Sequence, residues 1–225
     1  MFLFFDLDDT LVDTFGLLID PLERTAADRI AALLAGKASA HDLHRELMRL
    51  HAVDPAAVDG YLRGLSPSRA TDVVAAHRAV FRDFDVTPLR IDGAVTGMLA
   101  TLRETHTLLL LTEGFPDLQA RKIQHLGIAP CFDFVDIVAS GSEATKESAI
   151  RDRIRGIGAD PIRAIVIGNR IDREIVAGEA IGTHTVWVRS GEGSKCPSPE
   201  RYARPTWTID SVLDVPDALR LIRPD

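Results

Sequence analysis

At 225 residues the chain is long enough for one large domain or a domain with a sizeable insert, at roughly 100 to 200 residues per domain. Apolar residues make up 46% and charged residues 26%, a globular balance that excludes a low-hydrophobicity disordered chain. Lys and Arg number 26 against 33 Asp and Glu, and the resulting charge of −7 opposes binding to nucleic acid or anionic lipid.

The first predicted element is a buried strand over residues 2–7, which has no basic flank and meets Asp6 at once, unlike a signal peptide. No apolar run approaches the roughly 18 to 20 residues of a membrane span, so a soluble cytoplasmic protein without a membrane partner is expected. Residues 17–91 hold no convincing strand but several amphipathic helical patterns. These are residues 22–34, then Leu43, Leu47 and Leu50, then Val73, Val74, His77, Val80, Phe81 and Phe84. His41, His44 and His51 share one helix face, but no acid or Cys completes a ligand set, so they read as ordinary, partly exposed histidines.

From residue 93 onward, helices over 93–104, 116–126, 145–157, 172–181 and 211–222 alternate with strands over 107–112, 134–139, 164–168, 185–188 and 207–209. Such alternation predicts an α/β fold with a doubly wound parallel sheet covered on both faces. The domain boundaries follow: an α/β core over 1–16 and 92–225, with a helical domain inserted over 17–91. Trp187 and Trp207 fall in predicted strands and read as core; residues 190–205 read as a surface loop. Of the two cysteines, Cys131 reads as core and Cys196 as a loop thiol, with neither a disulfide nor a zinc site indicated.

In doubly wound sheets, ligands collect beyond the carboxyl ends of the strands. The first strand ends in Asp6-Leu7-Asp8-Asp9-Thr10, with Asp6 and Asp8 on the same side of an extended backbone. Two such carboxylates repel unless they share a cation or a proton. The strand over 107–112 delivers Thr112-Glu113-Gly114, the strand over 164–168 delivers Gly168-Asn169-Arg170-Ile171-Asp172-Arg173-Glu174, and Lys146 opens a helix between them. Carboxylates for magnesium, a hydroxyl for phosphate oxygens and an ammonium to neutralise them suit phosphoryl transfer.

These residues resemble the motifs of the haloacid dehalogenase superfamily: D-x-D-x-T at Asp6, Asp8 and Thr10, the second-motif hydroxyl at Thr112, and the third-motif lysine at Lys146. Thr112-Glu113-Gly114-Phe115 with Gln119 and Lys122 resembles a family variant that usually reads T-N-G with Gln and Lys following. The helical insert corresponds to the family's cap. The resemblance implies a Rossmann-like core, a Mg2+ ion and hydrolysis of a small phosphorylated metabolite. Asp6 is then the nucleophile, Asp8 the general acid and base whose main-chain carbonyl meets the metal, and Thr112 and Lys146 the phosphoryl-binding groups.

The fourth motif departs from the family's usual G-D-R-x-D-x-D, because Asn169 replaces the first acid and Glu174 the last; the expected metal set is Asp6, Asp8, Asn169, Glu174 and Asp172. Asn169 and Glu113 keep a second reading open, a weak or inactive relative that binds a phosphorylated ligand or a protein partner. A phosphomutase, which keeps both aspartates, is a further alternative; a dehalogenase, which lacks the second, is disfavoured. Oligomeric state is not legible.

Overall fold

The structure, a computed structural model, describes residues 1–53, 57–82, 85–139, 142–195 and 201–222. In chain order β1 (Phe2–Phe5) precedes α1 (Asp20–Leu33), α2 (Ala40–Val53), α3 (Ala57–Leu65) and α4 (Ala70–Arg82). Then come α5 (Gly93–Arg103), β2 (Thr107–Gly114), α6 (Pro116–Leu126), β3 (Phe134–Ala139), α7 (Lys146–Gly156) and β4 (Ala164–Gly168). The remainder is α8 (Val176–Ile181), β5 (His184–Val188), β6 (Trp207–Ile209) and α9 (Val215–Leu221). The chain divides into two compact units, Met1–Asp13 with Leu89–Asp225, and Thr14–Pro88.

The first unit is built on a six-stranded sheet in the order β3-β2-β1-β4-β5-β6, every pair parallel. This is the doubly wound α/β sheet that the alternating pattern predicts. Phe4, Leu109, Leu111 and Val166 face one side, where Ile150 and Ile154 of α7 and Ala177 of α8 pack on them. Leu3, Phe5, Leu108, Leu110, Ile165 and Ile167 alternate to the other side and are also fully buried. Burial on both faces explains why these strands read as continuous apolar runs. Strand order reverses at β1, between β2 and β4, so the carboxyl end of β1 lies at the switch point where ligands bind in such sheets.

Several sequence expectations shift. β1 ends at Phe5 instead of residue 7, because the Leu7 carbonyl curls the chain by accepting from Thr10, Leu11 and Val12. β2 runs on to Gly114, paired with Ala139. The helix expected over 172–181 opens with a π-helical turn, Ile171–Ile175. Cys131 and Trp207 are half-buried rather than core, whereas Trp187 is buried as expected. Cys196 and Phe84 lie outside the described residues.

In the second unit, α1 packs against α2 and α4. Its core joins Ala27 and Ile30 with Leu43, Leu47 and Leu50, the residues whose spacing marked α2, and with Val58, Leu62, Val73 and Val74. One acid lies inside it. Glu23 of α1 is fully buried, with His77 Nε2 of α4 at 3.0 and 3.1 Å from its two oxygens and His51 Nδ1 of α2 at 2.6 Å. His77 and His51 also pack against the Phe81 ring. The three histidines read as partly exposed have different surroundings: His44 and His51 are partly buried, His44 meeting Asp20 at 2.8 Å and His51 meeting Glu23, and His41 is exposed.

Burial alone would raise the Glu23 carboxyl, but its contacts with the two histidines outweigh that and hold it below the usual value. Its stabilisation is therefore complete above its ordinary pKa of 4.5 and is lost as pH falls through the lower folded value. Glu23→Ala should cost about 3 kcal/mol or more at pH 7, since it strands buried polar partners. Urea unfolding of wild type and Glu23→Gln against pH checks the sign: the gap between them should shrink on acidification below pH 4.5.

Candidate active site

The Asp6 amide donates to Ile167 O at 3.0 Å, extending the ladder between β1 and β4 by one bond before the chain curls away. Asp9, in the curl, holds a left-handed conformation with φ 57°, which Asp tolerates better than most side chains. The turn leaves the Asp6 side chain buried at the sheet's carboxyl end.

Its partner arrives from α7. Thr145 caps that helix by accepting from Ser148 N at 3.1 Å, while Ser148 Oγ accepts from Thr145 N at 2.9 Å, a capping box that fixes the first helical residue. That residue is Lys146, buried, with Nζ 2.6 Å from Asp6 Oδ1. The same ammonium contacts Glu174 Oε1. Glu174 reaches back because the chain after β4 forms the π-helical turn, and its other oxygen accepts from Arg170 N at 2.9 Å. Position 168 has to be glycine for this return, since a Cβ there would lie 2.5 Å from Glu174 Cγ.

Two buried carboxylates thus share one ammonium. Burial pushes the Asp6 carboxyl up to about 7; Lys146 opposes that shift, while Glu174 and Asp8 add to it. For Lys146, burial favours the neutral form, but Asp6 and Glu174 together raise its pKa, so it stays an ammonium.

The remaining sequence candidates are distributed unequally. Thr10 Oγ1 lies 3.5 Å from both Asp6 Oδ2 and Asn169 Oδ1, bringing the amide oxygen at the end of β4 towards the nucleophile candidate. Asn169 is held by its neighbours: Trp187 Nε1 donates to its carbonyl at 2.8 Å. Thr112, on β2 beside β1, is 1% exposed, and its Oγ1 is buried with no hydrogen-bond partner among the described residues. Asp172 is not brought to Asp6: its two oxygens take Arg170 Nε and Nη2 at 2.8 Å each, which holds the carboxyl below its usual value against the effect of burial. Glu113 forms an ion pair with Arg173 at 3.3 Å.

Asp8 has a separate set of partners on α6, Lys122 at 2.7 Å and Gln119 at 3.0 Å. The spacing of three between those two was visible in the sequence, but their meeting with Asp8 was not. Ser190 was missed as well. Read as part of a surface loop, it turns inward and donates to the Asp9 carbonyl.

A family model described as haloacid dehalogenase-like hydrolase matches residues 3–172, and a second, HAD-hydrolase-like, matches 144–215. The chain belongs to the haloacid dehalogenase-like hydrolase family. Among curated relatives, the glyceraldehyde 3-phosphate phosphatase of Methanopyrus kandleri is 27% identical over 98% of this chain and 97% of its own. That of Pyrococcus furiosus is 28% identical over 84% and 81%. The N-acylneuraminate-9-phosphatase of Rattus norvegicus is 27% identical over 60% and 54%. Among solved structures, a HAD-superfamily hydrolase of Geobacter sulfurreducens superposes with TM-score 0.67 at 18% identity over 97% of this chain and 95% of that one. A haloacid dehalogenase-like family protein of Streptococcus pneumoniae gives 0.64 at 19% over 97% of each.

In this haloacid dehalogenase-like chain the strand-end oxygens fit a magnesium ion. Asp6 Oδ2 and Asn169 Oδ1 are hard donors held close to one hydroxyl, and the shared ammonium leaves a buried negative charge for a cation to offset. Among the described residues no group of three or more His, Cys, Asp or Glu is arranged to hold a metal. A site with few protein ligands suits magnesium, which keeps several of its waters.

The raised Asp6 carboxyl carries a stability consequence. Its folded pKa of about 7 lies above the ordinary 3.8, so the folded state binds the extra proton between those values and loses stability as pH rises through them. Asp6→Asn should therefore stabilise the chelator-treated protein at pH 8 by up to about 4 kcal/mol, with the gain vanishing towards pH 4. Thermal unfolding of both forms across that range checks it; a gain that grows on acidification has the wrong sign for this account.

Proposed function

We propose that the chain is a magnesium-dependent phosphatase that hydrolyses a small phosphorylated metabolite through a phosphorylated Asp6. The observation that carries the proposal is Asp6 itself, a buried carboxylate at the switch point of the sheet with an ammonium at 2.6 Å. In the first step Asp6 attacks phosphorus, the bond to the substrate alcohol breaks, and Asp8 supplies the proton to the departing oxygen. In the second, water attacks phosphorus, the bond to Asp6 breaks and Asp8 takes up a proton.

Thr112 Oγ1, buried and without a hydrogen-bond partner among the described residues, suits a phosphoryl oxygen. Lys146 offsets charge on Asp6 and on the transferred group without leaving its helix cap. When bound at Asp6 and Asn169, magnesium supplies Lewis-acid neutralisation of the phosphoryl oxygens. Residues 14–88 are assigned as the inserted cap.

Relatives named for glyceraldehyde 3-phosphate, matched over most of their length, make a triose phosphate the first substrate to test. The test measures inorganic phosphate released with magnesium from glyceraldehyde 3-phosphate, an N-acylneuraminate 9-phosphate and a pyrimidine 5′-nucleotide. Wild type should turn over at least one, and Asp6→Asn should lower the rate by about 1,000-fold or more. Turnover that survives Asp6→Asn refutes the assignment of the nucleophile.

A further inference from the structure

Lys122 lies on α6, outside the groups given a chemical role above, and is 4% exposed. A lysine is buried at such depth only with compensation. Here the compensation is Asp8: Lys122 Nζ lies 2.7 Å from Asp8 Oδ1. Three residues earlier on the same helix face, Gln119 Nε2 donates to Asp8 Oδ2 at 3.0 Å and to Glu113 O at 3.1 Å. Both partners are acceptors, so the amide is oriented with its nitrogen towards Asp8. Gly114 makes the approach possible, because a Cβ at that position would lie 2.6 Å from Gln119 Nε2. Pro116 starts the helix directly after that turn, so both donors are carried on one rigid element.

Each Asp8 oxygen therefore accepts from an N–H donor, the pattern of an ionised carboxylate. In the first half of the phosphatase reaction Asp8 carries the proton that it gives away; the ionised, doubly held Asp8 corresponds to the start of the second half. We infer that Lys122, with Gln119, is a positioning residue that holds the Asp8 carboxylate in the orientation that takes a proton from the attacking water. In that step the water oxygen bonds phosphorus, the bond between phosphorus and Asp6 breaks with its electron pair returning to the carboxylate, and the water proton passes to Asp8. Inorganic phosphate leaves. This inference rests on the phosphatase reading, and its test separates the two.

The probe is an aryl phosphate with a good leaving group, supplied with magnesium, so that the first step needs little help from an acid. Lys122→Met keeps the length of the side chain and removes the charge. Misplacing the base should lower kcat by about 10- to 100-fold while kcat/KM, which reports steps up to departure of the phenol, changes by less than about threefold. KM then falls with kcat, and acid-quenched samples should show phosphorylated protein accumulating in the steady state. Lys122→Arg should recover part of kcat.

Equal loss in kcat and kcat/KM without accumulated phosphoprotein, or no loss at all, overturns the positioning role. Should circular dichroism show Lys122→Met to be unfolded, Gln119→Met is read by the same criteria, with a smaller loss in kcat expected. Wild type that neither turns over nor becomes phosphorylated contradicts the phosphatase reading itself, whereas wild-type turnover with an unchanged pattern in the variants contradicts only the role of Lys122.

Discussion

One ammonium divided between two carboxylates organises the carboxyl end of this sheet. Lys146 contacts both Asp6 and Glu174, and backbone features position each of the three. The Thr145 cap sets the start of α7, the ladder with β4 sets Asp6, and Gly168 with the π-helical turn sets Glu174. A buried cluster with excess negative charge is costly unless a cation or a proton shares it. Burial raises the Asp6 carboxyl, with Glu174 and Asp8 adding to the shift.

The two aspartates of the first motif stand only two residues apart yet occupy different fields. Asp6 shares its positive partner with another acid, whereas Asp8, on the far side of the turn, has Lys122 and Gln119. Placing carboxyl groups of identical chemistry in unlike surroundings is how one site obtains two roles from one residue type. Here the difference is made by α6 and α7, which present buried lysines to different aspartates, Lys146 being shared with Glu174. The second unit follows a similar economy on a purely structural footing, with Glu23 tying α1 to α2 and α4 through two histidines.

How much was legible beforehand depended on how local the cause was. Asp6 directly follows the buried strand β1 and Thr112 lies near the end of β2, so strand patterning drew attention to both, whereas the roles of Asp8 and Thr10 came from the family resemblance. Residues 134–139, 164–168 and 207–209 are short apolar runs whose limits the structure reproduces. Asp172 and Glu174 looked equivalent in a helix-start sequence; what separates them is Arg170, which binds the first, and the π-helical turn, which sends the second to Lys146. Glu23 was invisible as a partner of His51 because the acid comes from another helix, 28 residues earlier. Lys122 was quoted for its spacing, but its contact with Asp8 spans 114 residues and depends on the register of β1 beside β2.

The excess charge at the end of β1 should make a cation site completed by the neutral oxygen of Asn169. Calorimetric titration of magnesium into wild type and Asn169→Asp, at fixed pH and ionic strength, tests it directly. Asp and Asn are nearly isosteric, so the change adds a charge with little repacking. It should tighten binding by about tenfold, the equivalent of about 1.4 kcal/mol after repulsion from Asp6 and Glu174 is discounted. Binding left unchanged or weakened in Asn169→Asp would contradict the account, because it would put residue 169 outside the ion's contact shell.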